Sequence, residues 1–426
     1  MLDIKLIRER TEQVSAALGK RLGKVDFSQV LADDQRWRQA QGELEALRSR
    51  RNEVSAQIPK LKKAGQDVAP VFEEMKAVGA QIKELETVAD DLARAVHDFL
   101  AGLPNIPDPD VPAGGKENNR TLRSWGTKPA FDFEPKSHVD LLTSLGMIDY
   151  ERGVKLGGSG FWLYRGYGAR LEWALLNYFV TCHLEAGYEF TLPPHLLLPE
   201  CGYTAGQFPK FADDVFYIEQ QGDAERRFLL PTAETALINL HRDEILSEDE
   251  LPKKYFAYTP CYRKEAGSYR TEERGTIRGH QFNKVELFQY TRPEDSSAAL
   301  DELLQQAERV VQGLGLHHQV TLLAAQDCSA GMAKTLDIEV WIPSMHQYKE
   351  VSSASNARDY QARRGQMRFR RQGQKKPELL HTLNASGLAT SRLLPAIVEQ
   401  FQEAGGSVVI PEVLRPWMGC ERLTAA

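Results

Sequence analysis

TPCYRKEAGSYRTEERGTIRGHQFNKVE, residues 259–286, decides how the rest of the chain is read. Just before it, Tyr255-Phe256-Ala257-Tyr258 has the composition of a strand. After a polar, glycine-bearing middle, apolar side chains return at Phe282, Val285, Leu287 and Phe288, with Glu286 between them. Two strands joined by a charged loop predict an antiparallel hairpin that presents polar groups to a ligand. The stretch carries Arg263, Arg270, Arg274 and Arg278, with Glu265, Glu272 and Glu273 among them. A guanidinium fork matches two oxygens at once, so arginines beside a pocket favour a polyphosphate or a carboxylate. The competing reading is a solvated loop whose mixed charges need no ligand.

At 426 residues the chain exceeds one ordinary core, and two domains are expected. A net charge of -6 gives no overall push toward nucleic acid but leaves room for a local basic patch. The opening MLDIKLIRERTEQ lacks the apolar core and cleavage signal of a secretory peptide, and no run of apolar residues suggests a membrane partner. Cys182, Cys201, Cys261, Cys328 and Cys420 are dispersed without a CxxC pair. A reduced, cytoplasmic protein without structural zinc is the expectation.

The first hundred residues read as helix, with proline interruptions expected at Pro59 and Pro70. Trp37, Ala40, Leu44, Leu47, Val54, Ile58 and Leu61 follow three-and-four spacing, and the pattern resumes at Met75, Val78, Ile82, Leu85, Ala89, Leu92, Val96 and Phe99. Each stripe needs cover, and the break around residues 62–66 lets the two helices fold back as an antiparallel coiled-coil hairpin. Near its tip Arg48, Arg50, Arg51, Lys60, Lys62 and Lys63 face only Glu53 between residues 47 and 63. Such a tip suits a phosphate backbone; a scaffold or partner-helix role is the alternative. Pro104, Pro107, Pro109 and Pro112, then Gly114-Gly115, mark a linker. It divides an arm domain, 1–110, from a body, 111–426.

In the body the glycines at 157–160 lack phosphate-loop spacing and read as a turn. A helix is expected over 168–186, leading to Phe190-Thr191-Leu192-Pro193-Pro194. Thr232 and Glu234 either share a face toward an ammonium ligand or form a helix cap and first-turn acid. Leu336 to Ile342 alternates as a strand. After it, Glu350 and Ser353 are candidates for a phosphate-bound divalent ion, with Glu339 joining only if the sheet brings it close; structural salt bridges are the alternative. In Leu383 to Arg392, Gly387 admits close backbone approach, and Arg392 near a helix start suits ligand charge or base stacking.

These segments in order resemble a bacterial-type seryl-tRNA synthetase over essentially the full chain. The carriers are the helical arm, the helix and PP strand of 171–194, TAE at 232–234, the hairpin from CYRKEAGS to GHQFNKVE, KEVSSASN at 349–356, QARR at 361–364 and TLNASGLATSR at 382–392. The resemblance implies an α+β class II synthetase antiparallel sheet flanked by helices, with an N-terminal antiparallel helical coiled-coil arm. It also implies a homodimer whose arm grips tRNA(Ser), with tRNA(Sec) a further acceptor of interest, and ATP-dependent activation of L-serine before transfer to tRNA.

The resemblance further places catalytic roles on Arg263, Glu265 and Arg392. ATP contacts fall on Arg263, Lys264, Glu265, Gly279, Phe282, Glu350, Val351, Ser352, Ser353 and Arg392, with Phe282 and Arg392 sandwiching adenine. Serine contacts fall on Thr232, Ala233, Glu234, Arg263, Glu286, Asn384 and Ser386. Transient, ATP-bound Mg2+ falls to Glu350 and Ser353, supported by Glu339. The arm's tRNA contacts are Arg48, Arg50, Arg51, Lys60, Lys62 and Lys63.

Some positions depart from the family's pattern. Lys264 stands where serine is common, and Gly279 where a larger residue is frequent. Ala354 replaces a usual cysteine, Ala385 a frequent glycine, and residues 325–328 read AQDC. Two other functions compete: a class II-like ligase charging serine to a non-tRNA carrier, which has no need of a basic tip, and a non-catalytic tRNA-binding relative, which would have broken its ATP-facing residues.

Overall fold

A computed structural model describes residues 1–219, 226–265 and 275–424. The chain divides into two compact units, Met1–Pro104 and Asn105–Ala426. Arg270, Glu272, Glu273 and Arg274 of the hairpin loop lie outside the described residues.

The first unit is helical: α1 (Ile4–Glu9), α2 (Thr11–Leu22), α3 (Ser28–Lys63) and α4 (Ala69–Gly102). At about 1.5 Å per residue the last two are each roughly 50 Å long. Ala40, Leu44, Val78, Ile82 and Ala89 are buried between them, with Trp37, Leu47 and Leu85 packed alongside. Burying a side chain of the size of Leu44 or Ile82 stabilises the hairpin by about 1.5–3 kcal/mol. Toward the tip Val54, Ile58, Leu61 and Met75 are only half-buried. The interruption expected at Pro59 does not occur, because α3 runs through it to Lys63. So close to the helix end one missing amide bond is tolerated, while Pro70 sits in the first turn of α4, where its absent N–H has no partner to lose.

The second unit is built on an eight-stranded sheet. Its strands are β1 (Arg120–Trp125), β2 (Glu189–Thr191), β3 (Lys253–Tyr262), β4 (Gln281–Thr291), β5 (His318–Leu322), β6 (Lys334–Ile342), β7 (Gln347–Arg358) and β8 (His381–Ala389). They lie in the order β1-β5-β6-β7-β8-β4-β3-β2. All pairs are antiparallel except β2 with β3. Four helices matter to the site: α5 (Tyr167–Glu185), α6 (Glu234–Leu237), α7 (Ser296–Gly313) and α8 (Thr390–Gln400). Leu171, Leu175 and Phe179 of α5, Leu303 and Val310 of α7, and Leu394 and Ile397 of α8 share one core with Val285, Leu287, Ile338, Val340, Leu383 and Ala385 of the sheet.

Since side chains alternate along a strand, the residues between those core positions face the other way. That opposite face carries Lys284 and Glu286, Asp337 and Glu339, Ser353 and Ser355, and Asn384 and Ser386, all lining one cavity. On β7 a bulge breaks the alternation beside the cavity. Ser352 pairs with Ile338, but the next rung pairs Glu350 with Glu339, skipping Val351. The extra residue lets Val351 stay in the helix-covered core while Glu350 joins the polar face.

Candidate active site

The cavity on the polar face has a volume of about 690 Å³. At one part of it Lys284 Nζ donates to Thr232 Oγ1 at 2.7 Å, and Thr232 donates to Glu286 Oε2 at 3.1 Å. Lys284 and Glu286 also form a direct, buried ion pair. Asn384 Nδ2 donates to Glu286 Oε1 at 3.1 Å and to Glu234 Oε2 at 3.4 Å. Gln361 Nε2 donates to Glu234 Oε1 at 2.8 Å, and is itself oriented by Thr382 at 2.7 Å. Burial, with Glu286 adding to it, pushes the Glu234 carboxyl up to about 7 against the opposing effects of Gln361, Lys284 and Arg263. Asn384 Oδ1 is buried without a hydrogen-bond partner among the described residues, an acceptor suited to a ligand donor.

Thr232 and Glu234 share a face at the start of α6, whose N-cap is Ala233. Glu234 begins α6, and its N–H donates to Thr232 Oγ1 at 3.3 Å, yet both side chains line the cavity. Ala233 is turned into the apolar cluster of Leu237, Tyr255 and Phe288. Ser386 lines the cavity beside Asn384.

Arg263, Glu265 and Arg392 also reach the cavity. Arg263 Nε donates to the Pro231 carbonyl at 3.2 Å, and its guanidinium lies over the Phe282 ring, 5.1 Å from the centroid. Phe282 itself packs on the cluster of Leu197, Val215 and Cys261 and does not line the cavity. Glu265 sits at φ 51° and accepts from Arg278 Nε at 2.7 Å. Arg392, in the first turn of α8, donates from Nε to the Ile277 carbonyl at 3.2 Å and from Nη1 to the Glu350 carbonyl at 2.8 Å.

Like Phe282, Lys264, Gly279, Val351 and Ser352 were expected at the nucleotide but put no side chain into the cavity. The Lys264 N–H donates to the Asp214 carbonyl at 2.9 Å, and its side chain does not line the cavity. A side chain at Gly279 would collide with the Trp162 ring, so a glycine is what the neighbouring tryptophan permits. Val351 is core, and Ser352 Oγ donates to the Ser386 carbonyl at 2.6 Å. Contacts from Val351 or Ser352 to a cavity ligand would therefore run through the backbone.

Glu339, Glu350 and Ser353 do come together. Like charges opposed on neighbouring strands repel, and the Glu339–Glu350 rung is such a pair. Ser353 Oγ donates to Glu350 at 3.2 Å and to Asp337. Desolvation, then the charge of Glu350, pushes buried Asp337 well up. Desolvation acts upward on Glu350 too, but Arg392 and Arg263 outweigh it and hold that carboxyl low. Carboxylate and hydroxyl oxygens in this number fit a hard divalent cation shared with phosphates. Glu339 Oε2 already accepts from Gln319 at 2.8 Å and Thr321 at 2.7 Å, which suits a supporting position.

Lys284, Asp337 and Gln361 were not expected. The first two lie two residues before Glu286 and Glu339 on the same strands, so alternation is the signal that finds them. Gln361 belongs to a short helix and carries no local signal.

In the helical unit the tip is less bare than residues 47–63 suggest. Arg48 pairs with Glu86 at 2.7 Å and Arg50 with Glu74, both from α4. Lys62 lies over the Phe72 ring at 5.7 Å. Arg51, Lys60, Lys62 and Lys63 have no carboxylate partner among the described residues.

Residues 216–401 match the tRNA synthetase class II core domain (G, H, P, S and T), and residues 1–107 match the seryl-tRNA synthetase N-terminal domain. The chain is 61% identical to serine--tRNA ligase 2 of Clostridium acetobutylicum, covering 99% of this chain and 100% of that protein. It is 46% identical to the serine--tRNA ligase of Desulforapulum autotrophicum, covering 98% of each. The crystal structure of seryl-tRNA synthetase from Pyrococcus horikoshii complexed with ATP superposes with a TM-score of 0.93 at 35% identity, over 100% of both chains. With its sheet, its acid-lined cavity and its helical hairpin in the same chain order, the protein belongs to the class II seryl-tRNA synthetase family, of the bacterial type.

Proposed function

We infer that this chain is a serine–tRNA ligase, using ATP to convert L-serine to seryl-adenylate and then passing the seryl group to tRNA(Ser). The observation that carries the residue assignments is the convergence of Thr232, Glu234, Glu286, Asn384, Arg263 and Arg392 on one cavity. Glu234 and Glu286 receive the serine ammonium, while Thr232, Asn384 and Ser386 close a small polar pocket around the hydroxyl. Such a pocket rejects an analogue without the hydroxyl, because its own polar groups are then left unpaired.

Arg263 holds the serine carboxylate and the α-phosphate together, so that a carboxylate oxygen attacks phosphorus as pyrophosphate leaves. The terminal ribose hydroxyl of tRNA then attacks the acyl carbon and AMP departs. No side-chain nucleophile is required, since alignment and charge stabilisation supply the rate. Glu265, held by Arg278, faces the adenine side. Arg392 covers one face of adenine, and Phe282, which does not line the cavity, backs the Arg263 guanidinium from behind. Glu350 and Ser353, with Glu339 behind them, would hold the ATP-bound magnesium, whose chemistry is to neutralise phosphate charge.

The arm, residues 1–110, serves tRNA through its tip cations, and 111–426 is the catalytic domain. Exposed apolar side chains favour a homodimer: Trp173 of α5 is 57% exposed and Leu192, just beyond β2, 72%. The reading places the enzyme in the cytoplasm with its tRNA; no helix among the described residues is long and apolar enough to cross a membrane.

The test is ATP–pyrophosphate exchange across an amino-acid panel, paired with transfer of labelled serine to tRNA(Ser) and, in parallel, to tRNA(Sec). Exchange with another amino acid but not serine would defeat the substrate. Serine exchange without charging would favour a non-tRNA carrier.

A further inference from the structure

On the helix-covered side of the sheet, a buried carboxylate that the cavity chemistry does not itself use links α5 to three other elements. Glu172 of α5 is 5% exposed. Its Oε1 accepts from Thr390 Oγ1 at 2.5 Å and from Asn283 Nδ2 at 2.8 Å. The Thr390 hydroxyl also lies 3.2 Å from the Asn283 carbonyl, and Asn283 Oδ1 accepts from Tyr258 of β3 at 3.1 Å. Glu172 thus sits where α5, β3, β4 and the first turn of α8 meet.

Both direct donors adjoin the cavity's own residues. Asn283 lies between Phe282 and Lys284, and Thr390 begins the helix that carries Arg392 two residues on. The rest of that turn is held on the other side, where Thr276 Oγ1 donates to the Ser391 carbonyl at 2.8 Å. A carboxylate is a demanding choice for a core position, because burial disfavours its charge. Here burial lifts the carboxyl to about 6 against the two donated hydrogen bonds, and Oε2 has no partner among the described residues. Packing alone is better served by an apolar side chain; what the carboxylate adds is a fixed direction for two donors on separate elements.

We propose that Glu172 is a positioning residue for nucleotide binding, acting through Thr390 and Asn283 to set the first turn of α8 and so the reach of Arg392 into the cavity. This rests on Arg392 contacting ATP, as assigned above.

The experiment measures serine-dependent ATP–pyrophosphate exchange, with thermal melts, for E172A, E172Q, T390V, the E172A/T390V double variant and R392A. E172A and T390V should each raise KM for ATP about five- to tenfold, the size of one lost ordinary hydrogen bond, with KM for serine within about twofold. E172Q keeps an acceptor at the Oε1 position and should stay within about twofold of the parent. The double variant should be no worse than E172A, since both remove one linkage. Lower melting temperatures with an unchanged KM for ATP in E172A and T390V would reduce Glu172 to a packing residue and overturn the proposal. If E172A does not fold, T390V, which removes only the hydroxyl, decides the matter by the same KM. An R392A variant with an unchanged KM for ATP would overturn the assignment of Arg392 and this proposal with it. R392A impaired while T390V and E172A are not would overturn the proposal alone.

Discussion

The helical hairpin and the sheet present their charges in opposite ways. In the hairpin the cations stand on exposed helix, and the seam beneath them consists of residues a few positions apart, such as Ala40 and Leu44 facing Val78 and Ile82. In the sheet each charge is held by partners far away in sequence: Glu234 by Gln361 and Asn384, Arg392 by Glu350 and Ile277. A surface charge in water is weakly constrained, and its loss is shared among neighbours. A buried one is fixed in direction, and its removal strands its partners. The hairpin should therefore tolerate single substitutions that the cavity cannot.

Two experiments break that contrast if it is false. Arg263→Ala should lower serine-dependent exchange by about 10²–10³-fold, the range for losing a preorganised donor to developing charge. Melting should change little, because the side chain contributes one bond to a carbonyl and a ring contact. Exchange kinetics at the parent level would remove Arg263 from the reaction. Deleting residues 31–100 and bridging the gap with a short flexible linker should leave exchange within about twofold, while charging of tRNA(Ser) falls about 10²-fold or more as the salt-sensitive contacts go. Undiminished charging by the folded deletion protein would strip the hairpin of its recognition role.

The same contrast governs how much could be read from residues alone. The hairpin was legible because its seam repeats locally, and its turn fell where the pattern breaks. What escaped was the pairing of Arg48 with Glu86 and Arg50 with Glu74, which depends on the register of one helix against the other. In the body the strands at 253–262, 281–291 and 334–342 announced themselves by alternation, and Thr232, Glu286 and Arg263 came with the family's motifs. The bulge that sends Glu350 to the cavity and Val351 to the core did not, because a one-residue slip in register leaves no mark in composition. Gly387 does admit a close neighbour as expected, but the neighbour is His183 of α5, which packs against it and hydrogen-bonds its carbonyl. The complement of Gly279 and Trp162 likewise needs the fold to bring distant segments together.

A titration sharpens the cavity side. Glu234, pushed up to about 7, holds a proton below that pH, and on the proposed assignment it would then meet the serine ammonium as a neutral group. KM for serine should rise as pH falls through 7, by at most about tenfold per unit. Substrate ammonium draws the group toward its charged form, so saturating serine should move the transition to lower pH. The stability sign is the reverse of the usual salt-bridged carboxylate. A folded-state value above the ordinary 4.5 adds stability below 4.5 that is lost as pH rises through 7. Glu234→Gln should therefore bind serine poorly with a flat pH profile. In melts it should gain on the parent at pH 8 and lose that advantage toward pH 4.5. A parent profile for serine with no inflection between pH 6 and 8 would mean that Glu234 is charged throughout.

The smallest effect expected lies in the core behind the site, where two departures from the family's pattern meet. Ala354, in place of a usual cysteine, pairs directly with Ala385, in place of a frequent glycine, across β7 and β8. Both are essentially inaccessible, at 1% and 0% exposure. One residue is smaller than the family's choice and its partner larger, so the pair trades volume across a single rung of a packed sheet. Restoring both should then cost less than the two single changes added together. Ala354→Cys presses a sulfur toward the Ala385 methyl and should cost about 1 kcal/mol or more by overpacking. Ala385→Gly loses a buried methyl and loosens the strand, at roughly 1 kcal/mol. The double variant should recover part of that loss, with a coupling of about 0.5–1 kcal/mol in denaturant melts, whereas independent sites add to within about 0.5 kcal/mol. Exchange kinetics should be unchanged in all three, because neither side chain reaches the cavity. Strict additivity would mean that the two alanines fill separate gaps and face each other without sharing one.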